Sequence, residues 1–251
     1  MLLLHSDTLP HYGLDRFFNF SVKAGFDGVE IGIGPNFDTQ NADYLKLLEK
    51  RYQIKIIAFS LVSRKEENFL DGFKTVVKNF PGMTINLNSA EILSFKYKNW
   101  IEKEVPKLVR KYGLKLNRKN TPFKLIFGII PKRSENSLYT LREKGGVCLD
   151  VSALWASHEE IMKSIIFLGE KLRHVYLSNV YKNTPYCPPY QGLLPIESFL
   201  TRLAQNNFFG NFSLKLNPKE ISEGDDEKVL EILTESRKFF EKYFKNNAGY
   251  N

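Results

Sequence analysis

Short apolar, β-branched runs alternate with longer amphipathic stretches from one end of the chain to the other. Strand-like runs fall at 2–5, 28–33, 55–61, 84–88, 125–130, 147–152, 174–180 and 212–218. Helix-like stretches follow them at about 14–24, 41–52, 69–79, 96–112, 135–144, 158–171, 195–207 and 225–245. In the second run Val29, Ile31 and Ile33 point one way and Glu30 the other. The run at 125–130 is nearly continuous in apolar residues, as a parallel strand buried on both faces should be. Phe17, Phe18, Phe20, Val22 and Ala24 supply the apolar surface of the first helix, and Tyr44, Leu45, Leu47 and Leu48 that of the second. Gly25 and Gly113 are placed to end helices, and Pro106 inside the fourth predicts a kink or break. Ser157 is a good N-cap for the sixth, with Glu159 and Glu160 in its first turn, and Pro195 opens the seventh where no donor is needed. The longest irregular piece is 181–194, rich in proline and tyrosine.

Eight βα units with no linker of domain-separating length predict an α/β protein, a single (β/α)8 TIM barrel over 1–251 with a short flexible tail from about 246. An open doubly wound sheet fits less well, because no GxGxxG or Walker-type loop follows the first strand. With 251 residues, 43% hydrophobic and 25% charged, the chain can bury a large core, which excludes fibrous and disordered classes. The opening MLLLHSD is apolar but short, lacks a basic lead-in and runs into His5 and Asp7, so neither a signal peptide nor a membrane span is expected. A cytoplasmic location, without a membrane partner, follows by default. Cys148 and Cys187 lie in different segments with no CxxC or Cys/His cluster, which predicts reduced structural thiols. The net charge of +8 suits a phosphate-bearing partner, although much of the excess falls in helical and tail segments where a solvated face is the ordinary explanation.

In such a barrel the site lies at the C-terminal ends of the strands. Those ends offer His5, Ser6 and Asp7; Glu30; Ser60; Asn86 and Asn88; Asp150 and Ser152; Tyr176, Ser178 and Asn179; and Lys215 and Asn217. The fifth run contributes almost nothing polar until Lys132 and Arg133. In FSLKLNP at 212–218, Ser213, Lys215 and Asn217 share one face, and a lysine in a buried strand needs a negative partner or loses its charge.

The stretch AGFDGVEIGIG at 24–34 resembles the second-strand signature of the xylose isomerase-like TIM barrels, which include sugar phosphate isomerases and epimerases and the endonuclease IV type of abasic-site nuclease (AP endonuclease family 2). GVCLDVS at 146–152, LRHVYLSN at 172–179 and QGLLPIESFLTRLAQNNFFGNFSLKLNP at 191–218 resemble later segments of that family, in the same order. The resemblance implies a divalent metal held by a glutamate on strand five, an aspartate on strand six, a histidine on strand seven and a glutamate on strand eight. Asp150 matches the aspartate. The strand-five glutamate falls near Phe127 or Gly128, the histidine is Tyr176, the aspartate that commonly follows it is Asn179, and the strand-eight glutamate is Lys215. One aspartate beside a lysine does not hold a hard divalent cation, so no metal and no cofactor are expected.

An ammonium at residue 215 would put a fixed charge roughly where the family's metal sits, close to Asp150 and to Glu30. Lys215, Asp150 and Glu30 are therefore the candidate catalytic residues, and His5, Asn86, Tyr176, Asn179, Tyr190 and Asn217 the candidate substrate-binding ones. Tyr176 is expected to pack beneath a ligand; Tyr181, Tyr186 and Tyr190 form an aromatic loop beside the mouth. A divergent, catalytically silent barrel binding a small sugar-like or phosphorylated ligand, or a partner protein, ranks first. A metal-independent isomerase, epimerase or lyase using Lys215 ranks second. An endonuclease IV-like nucleic-acid binder ranks last: the chain has only four histidines, and His174 is assigned one strand position off the matching face. Whether the chain forms an oligomer is left open.

Overall fold

Alternation of inward and outward residues, set by the two-residue period of extended chain, builds the barrel wall. A computed structural model describes residues 1–62, 66–127, 129–133 and 136–247. Strands β1 (Leu2–His5), β2 (Gly28–Ile33), β3 (Ile56–Leu61), β4 (Thr84–Asn88), β5 (Lys115–Lys119), β6 (Gly146–Asp150), β7 (Leu172–Leu177) and β8 (Asn211–Leu214) pair in parallel, and β8 closes on β1. Val29, Ile31 and Ile33 are buried outside the wall, under α1 (Leu14–Lys23) and α2 (Ala42–Tyr52), while Glu30 points inward. Val22 and Leu47, expected on buried helix faces, are exposed instead.

The fifth strand is not the apolar run at 125–130. The chain pairs KLNRK, Lys115–Lys119, between β4 and β6, with Asn86 opposite Asn117 and Asn88 opposite Lys119. Its inward residues Asn117 and Lys119 face a polar barrel interior, so the strand lacks the apolar signature of a wall buried on both faces. Leu125–Ile126 pairs instead with Ile130–Pro131 in a small hairpin outside the barrel, where Phe127 is 88% and Ile129 80% exposed. Gly128, one candidate position for the strand-five ligand, lies outside the described residues, as does most of the tail expected from about 246.

After α3 (Leu70–Asn79), α4 (Phe95–Asn99) passes through a π turn, Trp100–Glu104, into α5 (Val105–Tyr112). The π turn is the break that Pro106 demands: it places the proline in the first turn of α5, where its missing N–H costs no helical bond. Gly113, at φ 63°, ends the helix in the left-handed region.

The helix expected near 135 is α6 (Leu138–Glu143), capped by Ser137. Ser157 caps nothing. The chain leaves β6 directly into α7 (Val151–Trp155), N-capped by Asp150, and turns through His158 at φ 58° before α8 (Ile161–Leu168); Ser157 Oγ donates to the Ala153 carbonyl. The seventh strand stops at Leu177, and Asn179–Tyr181 folds back on Thr184–Cys187, so part of the expected 181–194 loop is a hairpin. Helices α9 (Ile196–Gln205) and α10 (Asp226–Tyr243) follow, and Phe212, Phe240 and Phe244 pack as an aromatic cluster with centroids 4.8–5.1 Å apart. Both cysteines are free and buried. Among the described residues no helix is long and apolar enough to cross a membrane.

Candidate functional site

The barrel interior carries two polar layers. In the lower one Glu30, fully buried, accepts hydrogen bonds from Tyr176 Oη (2.5 Å) and Asn86 Nδ2 (3.1 Å) at one oxygen and from Ser213 Oγ (2.6 Å) at the other. His174 Nε2 lies 3.1 Å from that second oxygen and 2.8 Å from Ser213 Oγ, so its N–H is shared between them. Burial disfavours the Glu30 charge, but His174, then His5, and the donors His174 and Ser213 hold the carboxyl well below the usual carboxylate range. His174 therefore stands on the inward face with Tyr176, two residues along, and not one position off it: residues i and i+2 of a strand share a face.

His5 is also enclosed. Its Nδ1 accepts the Asp7 backbone N–H at 3.0 Å, which leaves the proton on Nε2, 3.1 Å from Ser60 Oγ and 3.6 Å from Glu30. Burial, then the charge of Lys215, lowers its pKa to about 4, so the ring is neutral at physiological pH.

Tyr176 separates this layer from the mouth. Its ring reaches from β7 across to Glu30 on β2, with His5 and His174 edge-on to it at 5.2 and 5.6 Å. Over the ring stand two ammonium groups, Lys119 Nζ at 4.8 Å and Lys215 Nζ at 5.1 Å from its centroid. Lys215 pairs with Asp7, Nζ to Oδ2 at 2.9 Å, the two side chains being 15% and 30% exposed. Its partner is thus neither Asp150 nor Glu30. Asp7 reaches it because Gly32 has no side chain: a Cβ there would meet Asp7 Oδ1 at 2.6 Å. Loss of hydration opposes the Lys215 charge, but Asp7 and then Asp150 outweigh it and raise its pKa; Asp7, although partly desolvated, is held low by Lys215.

Asp150 stands at the end of β6 with both carboxylate oxygens and its backbone hydrogen-bonded. One carboxylate oxygen accepts the Ala153 N–H as the α7 cap, the other accepts Tyr186 Oη at 3.0 Å, and Asn120 brackets its backbone with two bonds, 2.6 and 3.0 Å. Tyr186, at φ 67°, is set over the mouth by Ser152 Oγ, which accepts its N–H, and by the Asn217 N–H, which its carbonyl accepts.

Asp150, Lys119, Lys215 and Tyr186 meet at a cavity of about 430 Å³, completed by Thr121–Lys124, Asn136, Lys132, Arg133 and Glu91. That volume lies in the range of small-molecule sites, roughly 300–1,000 Å³. Lys132 and Arg133 are brought there by the excursion after β5, both paired with Glu91 at 3.0 and 3.1 Å. A second cavity, about 410 Å³, lies beside Asp7 and Gly32 between the ends of β1 and β2 and has a mainly apolar lining.

Of the residues expected at the site, Lys215 and Asp150 line the first cavity and Tyr176 lies beneath it. Glu30, His5 and Asn86 belong to the buried network below. Asn179 holds the hairpin and its following loop, donating to the Pro189 carbonyl and accepting from the Val180 and Leu194 N–H groups. Tyr190 is half-buried near Glu231 and Glu235 of α10, and Asn217 accepts the Lys219 N–H; neither lines the cavity. Lys119 and Tyr186 were not singled out as site residues. Lys119 was hidden by the displaced fifth strand, whereas Tyr186 stood in the aromatic loop without a position to prefer it over its neighbours.

The ends of β5, β6, β7 and β8 thus present Lys119, Asp150, Tyr176 and Lys215. Among the described residues no group of three or more His, Cys, Asp or Glu side chains is arranged to hold a metal ion. Two amines and a phenol beside one carboxylate whose oxygens already hold a helix cap and Tyr186 do not fit a divalent cation.

No family model matches the chain, and no curated protein matches it in sequence. Solved structures match its fold over almost the full length. A D-psicose 3-epimerase from Clostridium cellulolyticum H10, solved with D-tagatose, superposes with a TM-score of 0.70 at 14% identity, covering 96% of this chain and 98% of its own. The E. coli 3-keto-D-glucoside 4-epimerase YcjR gives 0.67 at 12% identity, over 94% and 98%. AsbF of Bacillus anthracis, a probable 3-DHS dehydratase, gives 0.65 at 14% identity, over 95% and 98%. The fold is the (β/α)8 barrel that these proteins share, as the sequence resemblance implied. Identity this low carries the fold alone, and the site has to be read from this chain's own residues.

Proposed function

We propose that this protein binds a small, anionic, sugar-like molecule, a sugar phosphate or sugar acid, at the C-terminal mouth of its barrel without a divalent metal. The observation that supports this most is the charge of the cavity wall: Lys119, Lys124, Lys132, Arg133 and Lys215 face two carboxylates, Asp150 and Glu91. An excess of cations around a partly enclosed space of this size favours an anionic occupant, and the low dielectric of the surrounding wall strengthens the attraction. Asp150 and Tyr186 Oη, held in place by the hydrogen bond between them, keep lone pairs that accept from hydroxyls, and Tyr176 lies beneath as an aromatic floor. The sugars named for the structural neighbours agree with a polyol-sized ligand. The metal-dependent reaction implied by the resemblance is not assigned, because Lys215 stands where its strand-eight glutamate would and the observed fifth strand ends in Lys119 rather than a carboxylate.

Calorimetric titration tests this reading. D-fructose 6-phosphate should bind and D-fructose should not, in buffer containing EDTA, and Lys132→Ala should weaken binding by roughly tenfold, the worth of one charge-assisted contact. Equal binding of the neutral sugar, or binding that needs added Mn²⁺ or Mg²⁺, would overturn it.

A further inference from the structure

Lys119 and Lys215 lie over the same tyrosine ring but in opposite circumstances. Lys215 is tied to Asp7 by a 2.9 Å ion pair. Lys119 is only 3% exposed, borders the cavity, and has no hydrogen bond or ion pair to its amine among the described residues. Its stem rises from the last residue of β5, a rigid wall element, so the amine is fixed in position and not carried on a loop. The charged groups that act on it come from separate elements: Lys215 beyond β8, Asp150 on β6 and Asp7 after β1.

We propose that Lys119 is a covalent-catalysis amine, condensing with the carbonyl group of an anionic sugar-like ligand held in the cavity to form an imine. The proposal rests on the ligand reading above. Burial, then the neighbouring charge of Lys215, lowers the Lys119 pKa, with Asp150 opposing, so the neutral, nucleophilic form is reached at lower pH than for a surface lysine. Desolvation next to a second cation is a recognised way to activate an amine. In the step itself the amine nitrogen bonds to the carbonyl carbon as the C=O π bond opens. One amine proton passes to the oxygen, the charge developing there being stabilised by the Lys215 ammonium. The hydroxyl then leaves as water, taking the second amine proton, and C=N forms. Amine and carbonyl give imine and water, with no other reactant. Lys124, Lys132, Arg133 and Lys215 remain to hold the anion whatever the protonation state of Lys119. Lys215 does not suit this role, because an amine locked as an ammonium by Asp7 has no lone pair to offer.

Full-length protein incubated with dihydroxyacetone phosphate and sodium cyanoborohydride, then digested and mapped by mass spectrometry, tests this. One reduced adduct at Lys119 is expected, formed roughly tenfold or more faster than at any other lysine, slowed by inorganic phosphate and absent in Lys119→Arg. Because the adduct is mapped in the unmutated protein, the result stands even if the variant fails to fold. Adducts spread among surface lysines, or found at Lys215, would overturn the assignment. Calorimetric binding of dihydroxyacetone phosphate with Lys119 unmodified would overturn the imine role and leave the anionic cavity intact. Modification of Lys119 at equal rates by uncharged dihydroxyacetone, insensitive to phosphate, would uphold the amine and overturn the anionic ligand.

Discussion

Glu30 is the residue on which the barrel interior is organised. It accepts from Tyr176, Asn86, Ser213 and His174, so all the donors around it point inward at one carboxylate. In Glu30→Gln an amide NH₂ would face two of those donors with no acceptor between them. A loss of about 3 kcal/mol in urea unfolding is expected, the scale for breaking a buried charged pair; a change under about 1 kcal/mol would mean that the network is not formed. His5 adds a pH dependence. Its pKa is about 4 in the fold against the ordinary 6.5, so the unfolded chain binds the extra proton between those values. Stability is fully present above pH 6.5 and is lost as pH falls toward 4, by about 3 kcal/mol in all. Glu30, depressed from 4.5, adds to the loss in the same direction below that pH. Urea unfolding from pH 7 to 4 should follow this slope, and His5→Gln should flatten it between 6.5 and 4.

At the scale of elements, β5 is where sequence and structure part. The apolar pattern of a buried strand lies at 125–130; Lys115–Lys119 lacks it, because its inward residues face a polar interior and a cavity. A strand with a polar inward face escapes the rule that locates strands buried on both faces. The hairpin after β7 was hidden for a related reason, its turn carried by Lys182 and Asn183 in left-handed conformations rather than by glycine. Pro106 and Gly113 were legible because each acts through its own backbone geometry. Placing an unpaired amine on β5 has a cost, since a buried lysine gives up its hydration without a carboxylate in return. Lys119→Met, which keeps the apolar stem and removes the amine, should therefore raise stability by about 1 kcal/mol, or roughly 2–4 °C in Tm. A fall in Tm would show that the amine is stabilised by its surroundings.

For the whole molecule, eight βα units in sequence order specified the closed barrel, and the strand ends specified which residues are near the axis. Lys215 and Asp150 were found this way, since each lies at a strand end that periodicity places correctly. Depth within the barrel was not legible: Glu30, His5 and Asn86 share the inward face with Lys215 but lie below Tyr176, and alternation gives the face of a strand, not the height along it. Partners across the barrel were hidden too, Asp7 reaching Lys215 only through the space left at Gly32. What results is a (β/α)8 barrel whose mouth carries Lys215 where the sequence resemblance assigns a metal-ligating glutamate, with Lys119 at the end of the observed fifth strand. The measurement closest to that claim is anomalous diffraction at the manganese edge from crystals grown with Mn²⁺ and D-fructose 6-phosphate. The account predicts a phosphate among Lys124, Lys132, Arg133 and Lys215 and no manganese peak at Asp150. A manganese peak at bonding distance from the Asp150 carboxylate would contradict it.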